Sequence, residues 1–296
     1  MSDARKKWLE VSLNGAHSKS AQPNGPHDAA RIIEEGIACA EAGAAIVHFH
    51  AFEGDSDRQL YDSHAYGRII EGIRKHTDAI VYGTVPMIGG FDGARLLPPG
   101  ERYRPSEELM QSGLLEWLVI DAGLVNFGSY AGIAQGEGAG MYLNPVSYVR
   151  YAMDLTKRYN TVPTCGIWEP GFLRTAAATA KAAGVTRKIV YKMNFSQDLT
   201  LGLPPEPYAL ECYEKLIRQF APDAAWMAAC ASADIFPLAP QALALGGHLR
   251  VGLEDARNGC PQTNLELVER GVKIIQDNGY ALQTPAGVRK EIAAAV

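Results

Sequence analysis

Apolar, β-branched runs alternate with helix-like segments eight times along this chain, and nothing else restricts its fold as strongly. Periodicity predicts strands at Trp8–Asn14, Ala45–Ala51, Ala79–Met87, Trp117–Gly123, Val162–Glu169, Lys188–Phe195, Ala225–Ala231 and His248–Glu254. Helices are expected between and after them, over roughly 27–43, 63–76, 104–113, 145–159, 171–183, 206–219, 236–245 and 262–278. Asn144-Pro145 reads as an N-cap followed by a first-turn proline, and Pro207 as a helix start. Eight βα units in 296 residues fit an α/β (β/α)8 TIM barrel better than an open doubly wound sheet. No GxGxxG follows the first strand, as a dinucleotide-binding sheet would require. The expected architecture is one domain over residues 1–296, with Thr284–Ile292 as a short helical extension.

Bulk properties exclude several classes. A 47% hydrophobic content suffices for a core without disulfide staples. The five cysteines form no CxxC and are expected to be structural. A net charge of −5 without a basic cluster argues against nucleic acid. The polar start Met1–Lys7 has no apolar core of a secretory signal, and no apolar run approaches a membrane span. A cytoplasmic, homo-oligomeric protein with no membrane partner is the expectation.

Catalytic groups of a barrel sit at the C-terminal ends of its strands. The second strand ends in His48-Phe49-His50, whose two imidazoles share one face. The eighth ends in Glu254-Asp255. One strand lies between those two ends, so they stand about 10 Å apart on one rim, a gap that inward-reaching side chains can bridge around a metal. Two histidines plus a carboxylate leave a coordination position open, as a catalytic site needs. HxH alone is a weak motif, and a single histidine on an apolar strand is more often a hydrogen-bonded core residue. Asn14, at the end of the first strand, and His17 just beyond it belong to the same rim. On the last strand His248, Arg250, Gly252 and Glu254 share one face, while Leu249, Val251 and Leu253 share the other. Arg250 therefore points into the barrel and requires a carboxylate partner, with Asp255 the nearest.

The run Gly246–Asp255 resembles the last-strand motif of the β-keto acid cleavage enzymes, whose founding activity is 3-keto-5-aminohexanoate cleavage. Ala40–His50 is similar to that family's second-strand motif. Asn14-Gly15-Ala16, Asn126-Phe127-Gly128, Thr263-Asn264, Thr284-Pro285 and Arg289 echo it elsewhere. The resemblance implies a zinc-bearing TIM barrel that converts a β-keto acid and acetyl-CoA into acetoacetate and a new acyl-CoA. It implies Zn2+ ligands at His48, His50 and Glu254, and a general base at Asp255 tuned by Arg250. The ligand set also suits zinc on its own terms, being mixed in N and O.

The chain departs from the family pattern around the substrate. His17 stands where members acting on amino-bearing keto acids have a carboxylate, Thr164 and Gly166 where glutamates are common, and Ala256 where Asn is usual. The third strand ends in Gly83-Thr84-Val85-Pro86 instead of Ser/Thr-Gly-Gly. His17, Asn14 and Thr84 are therefore expected to face the distal part of a substrate whose tail is polar-neutral or carboxylate, not amino. Competing readings are an amidohydrolase, a CoA-independent metal aldolase and a non-catalytic metal-binding barrel. The first places HxH on the first strand with histidines on the fifth and sixth, whereas no histidine occurs here between His76 and His248. An aldolase would cleave a keto acid without acetyl-CoA, and a binding barrel would turn nothing over.

Overall fold

The structure, a computed structural model, describes residues 6–54, 56–86, 89–90, 97–137 and 140–293. The polar start Met1–Arg5 and Met87, the last residue of the expected third strand, lie outside them. Strand and helix alternate as β1 Leu9–Ser12, α1 Ala29–Glu41, β2 Ile46–Phe49, α2 Ser63–Arg74, β3 Ile80–Gly83 and α3 Pro99–Gln111. They continue as β4 Trp117–Asp121, α4 Val146–Tyr159, β5 Val162–Ile167, α5 Pro170–Ala183, β6 Val190–Ser196 and α6 Pro207–Phe220. The last two units are β7 Ala225–Ala231 with α7 Ala239–Ala244, and β8 His248–Val251 with α8 Asn264–Asp277. The C-terminal extension is helical over Pro285–Ala293, labelled α9.

All ladders of the main sheet are parallel, in the order β3-β2-β1-β8-β7-β6-β5-β4. β3 and β4 lie side by side across the remaining seam. Parallel neighbours need long crossovers, and the helices supply them on the outside, which is the (β/α)8 barrel. Each helix turns its apolar stripe inward. α8 buries Leu267, Val268, Gly271 and Ile275 and opens with a reciprocal Thr263/Glu266 capping box. Pro207 begins α6 as expected. Asn144-Pro145 behaves differently: α4 starts at Val146, and Pro145 is itself the extended cap residue without a side-chain bond. The fixed φ of proline suits that position as well as the first turn.

The N-terminal end of the barrel is plugged by aromatics. Trp8 packs edge-on against Trp117 at 5.8 Å, and Tyr82 stacks on Trp117 at 5.9 Å. His248 belongs to this plug: its Nδ1 accepts from the Trp8 N–H at 3.2 Å, a satisfied core histidine. Cys39, Cys165 and Cys230 are buried as expected, whereas Cys212 is exposed on α6 and contributes nothing to the core.

Two features depart from the expected elements. β8 ends at Val251, three residues early, because Gly252 adopts φ +133° where a Cβ would collide with the Ser12 carbonyl. Glu254 and Asp255 therefore sit on a turn, and strand alternation does not set their directions. After β4 the chain makes an unanticipated excursion. Leu124–Phe127 pairs antiparallel with Gly140–Leu143, which also pairs with Gly89–Gly90, and a short helix, Tyr130–Ala134, lies between.

Candidate active site and metal centre

A cavity of ≈ 320 Å³ opens at the C-terminal ends of the strands, lined by groups from all around the rim, including His17, His48, His50, Thr84, Arg250 and Glu254. On its β1–β2–β8 side, ligand atoms of His48, His50 and Glu254 all lie within 4.8 Å of one another. His48 Nε2 is 3.4 Å from Glu254 Oε2, and His50 Nε2 is 3.6 Å from Glu254 Oε1.

Neighbouring groups fix the directions of these side chains. His50 Nδ1 donates to Gln59 Oε1 at 2.8 Å, which leaves the Nε2 lone pair aimed at Glu254. The His50 peptide is clamped by Asn14, whose Oδ1 accepts from its N–H and whose Nδ2 donates to its carbonyl, both at 2.9 Å. Ser12 donates to Glu254 Oε2. His17 Nε2 donates to the Glu254 carbonyl at 2.9 Å. Burial pushes the His48 imidazole well below the usual range and so favours the neutral, ligating form. Burial opposes charge on Glu254 as well, but the adjacent Arg250 guanidinium outweighs it and holds that carboxyl well below the usual range. Two imidazoles and a carboxylate are the donor set of an open zinc site, and these residues fit a divalent ion.

Arg250 joins three carboxylates beneath this triad. It donates to Asp255 through Nε at 2.9 Å and Nη2 at 2.8 Å, to Glu10 at 3.1 Å, and lies 3.0 Å from Glu254. Tyr82 also donates to Glu10, at 2.6 Å. Glu10 is fully buried, so Arg250 supplies the positive charge that permits it there. Asp255 is 5% exposed, and burial raises its carboxyl to about 6 against the pull of Arg250. It stands behind Arg250 and borders a separate outer hollow, not the cavity wall.

Of the expected site residues, the structure brings His48, His50 and Glu254 together, with Arg250 and Asp255 directly behind. His17 and Thr84 line the cavity. Asn14 does not: it is 1% exposed, and its amide is spent on His50 and on the Pro26 carbonyl.

The opposite wall went unread in the sequence. Asp121 ends the apolar run of β4, and its carboxylate accepts from Trp168 Nε1 at 3.0 Å and from the Tyr142 hydroxyl. It occupies the space over Gly166, where a Cβ would collide with Asp121 Oδ1. The missing side chain at Gly166 is thus matched by a carboxylate from the adjacent strand. Lys192 is a lone cation within the apolar strand β6, 4% exposed and lining the cavity. The reasoning that turned Arg250 inward applies equally to Lys192, and the rule that singled out His48 at a strand end applies to Asp121.

An eight-stranded parallel barrel with polar groups gathered in a cavity at its C-terminal rim is the form of a TIM-barrel enzyme, and its histidine–histidine–carboxylate cluster could hold a metal ion. Residues 6–293 match the beta-keto acid cleavage enzyme family, and the chain belongs to that family. It is 27% identical over 286 residues to the 3-oxoadipate:acetyl-CoA acetyltransferase of Cupriavidus necator, covering 95% of this chain and 92% of that protein. It is 25% identical over 290 residues to the 3-keto-5-aminohexanoate cleavage enzyme of Acetoanaerobium sticklandii, covering 95% and 96%. Among solved structures, ObcA in its apo form superimposes with a TM-score of 0.70 at 17% identity. That match covers 93% of this chain and 66% of ObcA, and it carries the fold alone. No helix among the described residues is long and apolar enough to cross a membrane.

Proposed function

We propose that this enzyme condenses a β-keto acid with acetyl-CoA and cleaves the adduct to acetoacetate and a new acyl-CoA. The observation that carries the reading is the convergence of His48, His50 and Glu254 on one rim of a cavity, with the Arg250–Asp255 pair against Glu254. The names of the two relatives, an acetyl-CoA acetyltransferase and a β-keto acid cleavage enzyme, support the same chemistry. His48, His50 and Glu254 would hold a zinc ion. Bound there, it would supply Lewis acidity to the keto oxygen of the substrate.

The chain's own groups carry the proton and the charge. Asp255 takes the C2 proton of the β-keto acid, and Arg250 orients its carboxylate and keeps it ionised until then. Arg250 stands between Asp255 and the cavity, so proton transfer to Asp255 requires that pair to part when substrate binds. The C2 carbanion attacks the acetyl thioester and expels CoA thiolate. The thiolate adds to the former keto carbon, retro-Claisen cleavage returns the electron pair to C2, and Asp255 gives its proton back to that carbon, so that acetoacetate and the new acyl-CoA leave. His17 and Thr84 face the distal part of the substrate, while Asn14 acts indirectly by holding the His50 peptide. The tail is polar-neutral or carboxylate, since neither His17 nor Thr84 offers an ammonium a counter-charge. The same reading takes the chain as one cytoplasmic domain that assembles with copies of itself. Exposed Leu124, Tyr130, Ile133 and Met141 around the excursion after β4 offer an apolar face for that assembly.

The test is a panel of β-keto acids with amino, neutral and carboxylate tails, incubated with acetyl-CoA and zinc-loaded protein, with acetoacetate and acyl-CoA quantified. Acetoacetate should form with a neutral or acidic member and vanish in Asp255→Asn, whose amide cannot accept the proton. Cleavage that proceeds without acetyl-CoA would instead establish the aldolase reading. A preference for the amino-bearing member would overturn the assignment of the tail pocket.

A further inference from the structure

Asp121, Gly166 and Lys192 lie in one register row across three neighbouring strands, Asp121 opposite Gly166 and Gly166 opposite Lys192. With no side chain on Gly166, the Asp121 carboxylate leans over that strand position, toward the strand that carries Lys192. No ion pair joins them among the described residues. The Asp121 carboxylate is tied to Trp168 and Tyr142 instead. Lys192 Nζ makes one hydrogen bond, donating to the Tyr82 hydroxyl at 3.3 Å, and its side chain lies 5.3 Å from the centre of that ring. An ammonium carries three donors, so two remain for the cavity.

This placement costs stability. Burial and the nearby Arg250 hold the Lys192 ammonium below the ordinary lysine range. Tyr82 gives it only a neutral acceptor, and that hydroxyl's own proton is committed to Glu10. Glu10, Asp121 and Glu254 favour the ammonium's charge through space, but none pairs with it directly among the described residues, and a ligand anion can supply that direct partner. Tyr82 also packs against His48 at 4.7 Å, which sets the lysine beside the triad and not at the cavity mouth.

We infer that Lys192 is the anion anchor of this cavity: its ammonium binds a carboxylate of the substrate from the β6 side, while Asp121 turns anions away from the β4 wall. The inference rests on the β-keto acid reading and adds the residue that fixes which end of the acid lies innermost. The contact is a charge-assisted hydrogen bond, with no covalent step. Asp121 gives direction, because it repels the same carboxylate and accepts from a hydroxyl or amide instead.

The experiment is calorimetric binding of acetoacetate and of its neutral methyl ester to the full chain without acetyl-CoA. Wild type should prefer the anion. Lys192→Met should lower acetoacetate affinity about 10- to 100-fold, the scale of a hydrogen bond to a charged group, and leave the ester within about 2-fold. Lys192→Arg should recover part of the loss. The Met variant should also melt no lower than wild type, since it removes an unpaired buried charge. Should Met at this position prevent folding, the anion-to-ester ratio in Lys192→Gln decides, and it should fall toward one. Unchanged acetoacetate affinity in a folded Met or Gln variant would overturn the inference. So would an acetoacetate adduct on Lys192 trapped by borohydride, which would make the amine a nucleophile. Lys192-dependent binding without acetyl-CoA turnover would remove the proposed function and leave the anchor standing; turnover with an unchanged ratio would do the reverse.

Discussion

The two walls of the cavity are built on opposite principles. On the β1–β2–β8 side most polar side chains are tied to one another: Gln59 to His50, Asn14 to the His50 peptide, Ser12 to Glu254, and Arg250 to three carboxylates, with His48 Nδ1 and Glu10 Oε2 left without a hydrogen bond. On the β4–β6 side Asp121 is tied to Trp168 and Tyr142, while Lys192 has a single hydrogen bond among the described residues and keeps two donors open. The first wall is preorganised to hold something fixed, and the second is left to be completed by what binds. A family can keep its chemistry on one wall and change its substrate on the other.

If that contrast is real, damage to the first wall should be felt in the fold itself. Arg250→Ala strands Glu10 and Asp255 in the interior without their cation, and should cost about 3–5 kcal/mol of stability. Equilibrium denaturation should show a clearly lower midpoint, and an unchanged curve would mean that solvent already screens the network. A smaller effect should follow from removing the partner that aims His50. Gln59→Leu leaves the imidazole free to turn and to change tautomer, and should weaken zinc affinity about 10- to 100-fold while the melting curve barely moves. Zinc affinity equal to wild type in that variant would show that the Asn14 clamp on the backbone orients His50 sufficiently by itself.

The contrast also explains what could be read from the chain. The β1–β2–β8 wall was legible because its groups come as short local patterns at strand ends: His48 and His50 two residues apart, Glu254 beside Asp255, and Arg250 four residues earlier. Strand order followed from the alternation of segments, since right-handed βα crossovers leave few other closures. The rebuilt wall was illegible because its parts are single residues on separate strands. Asp121 and Gly166 make sense only once their strands are neighbours, and Tyr142 reaches Asp121 from a hairpin with no periodic signal of its own. Asn14 was misjudged for a related reason. Its strand end promised a cavity position, but an amide carries both donor and acceptor, and here both serve the adjacent backbone. The end of β8 slipped because one left-handed glycine, Gly252, converts an alternating strand into a turn, and alternation cannot reveal that.

The central claim is that the committed wall is a zinc site, and metal content tests it most directly. Elemental analysis of zinc-replete, extensively dialysed protein should give about one zinc per chain, held by two imidazoles and a carboxylate. In a His48→Ala, His50→Ala double variant that still melts cooperatively, that zinc and the acetyl-CoA-dependent formation of acetoacetate should be lost together. Full zinc content in the folded double variant, or undiminished turnover by chelator-treated wild type free of metal, would contradict the account.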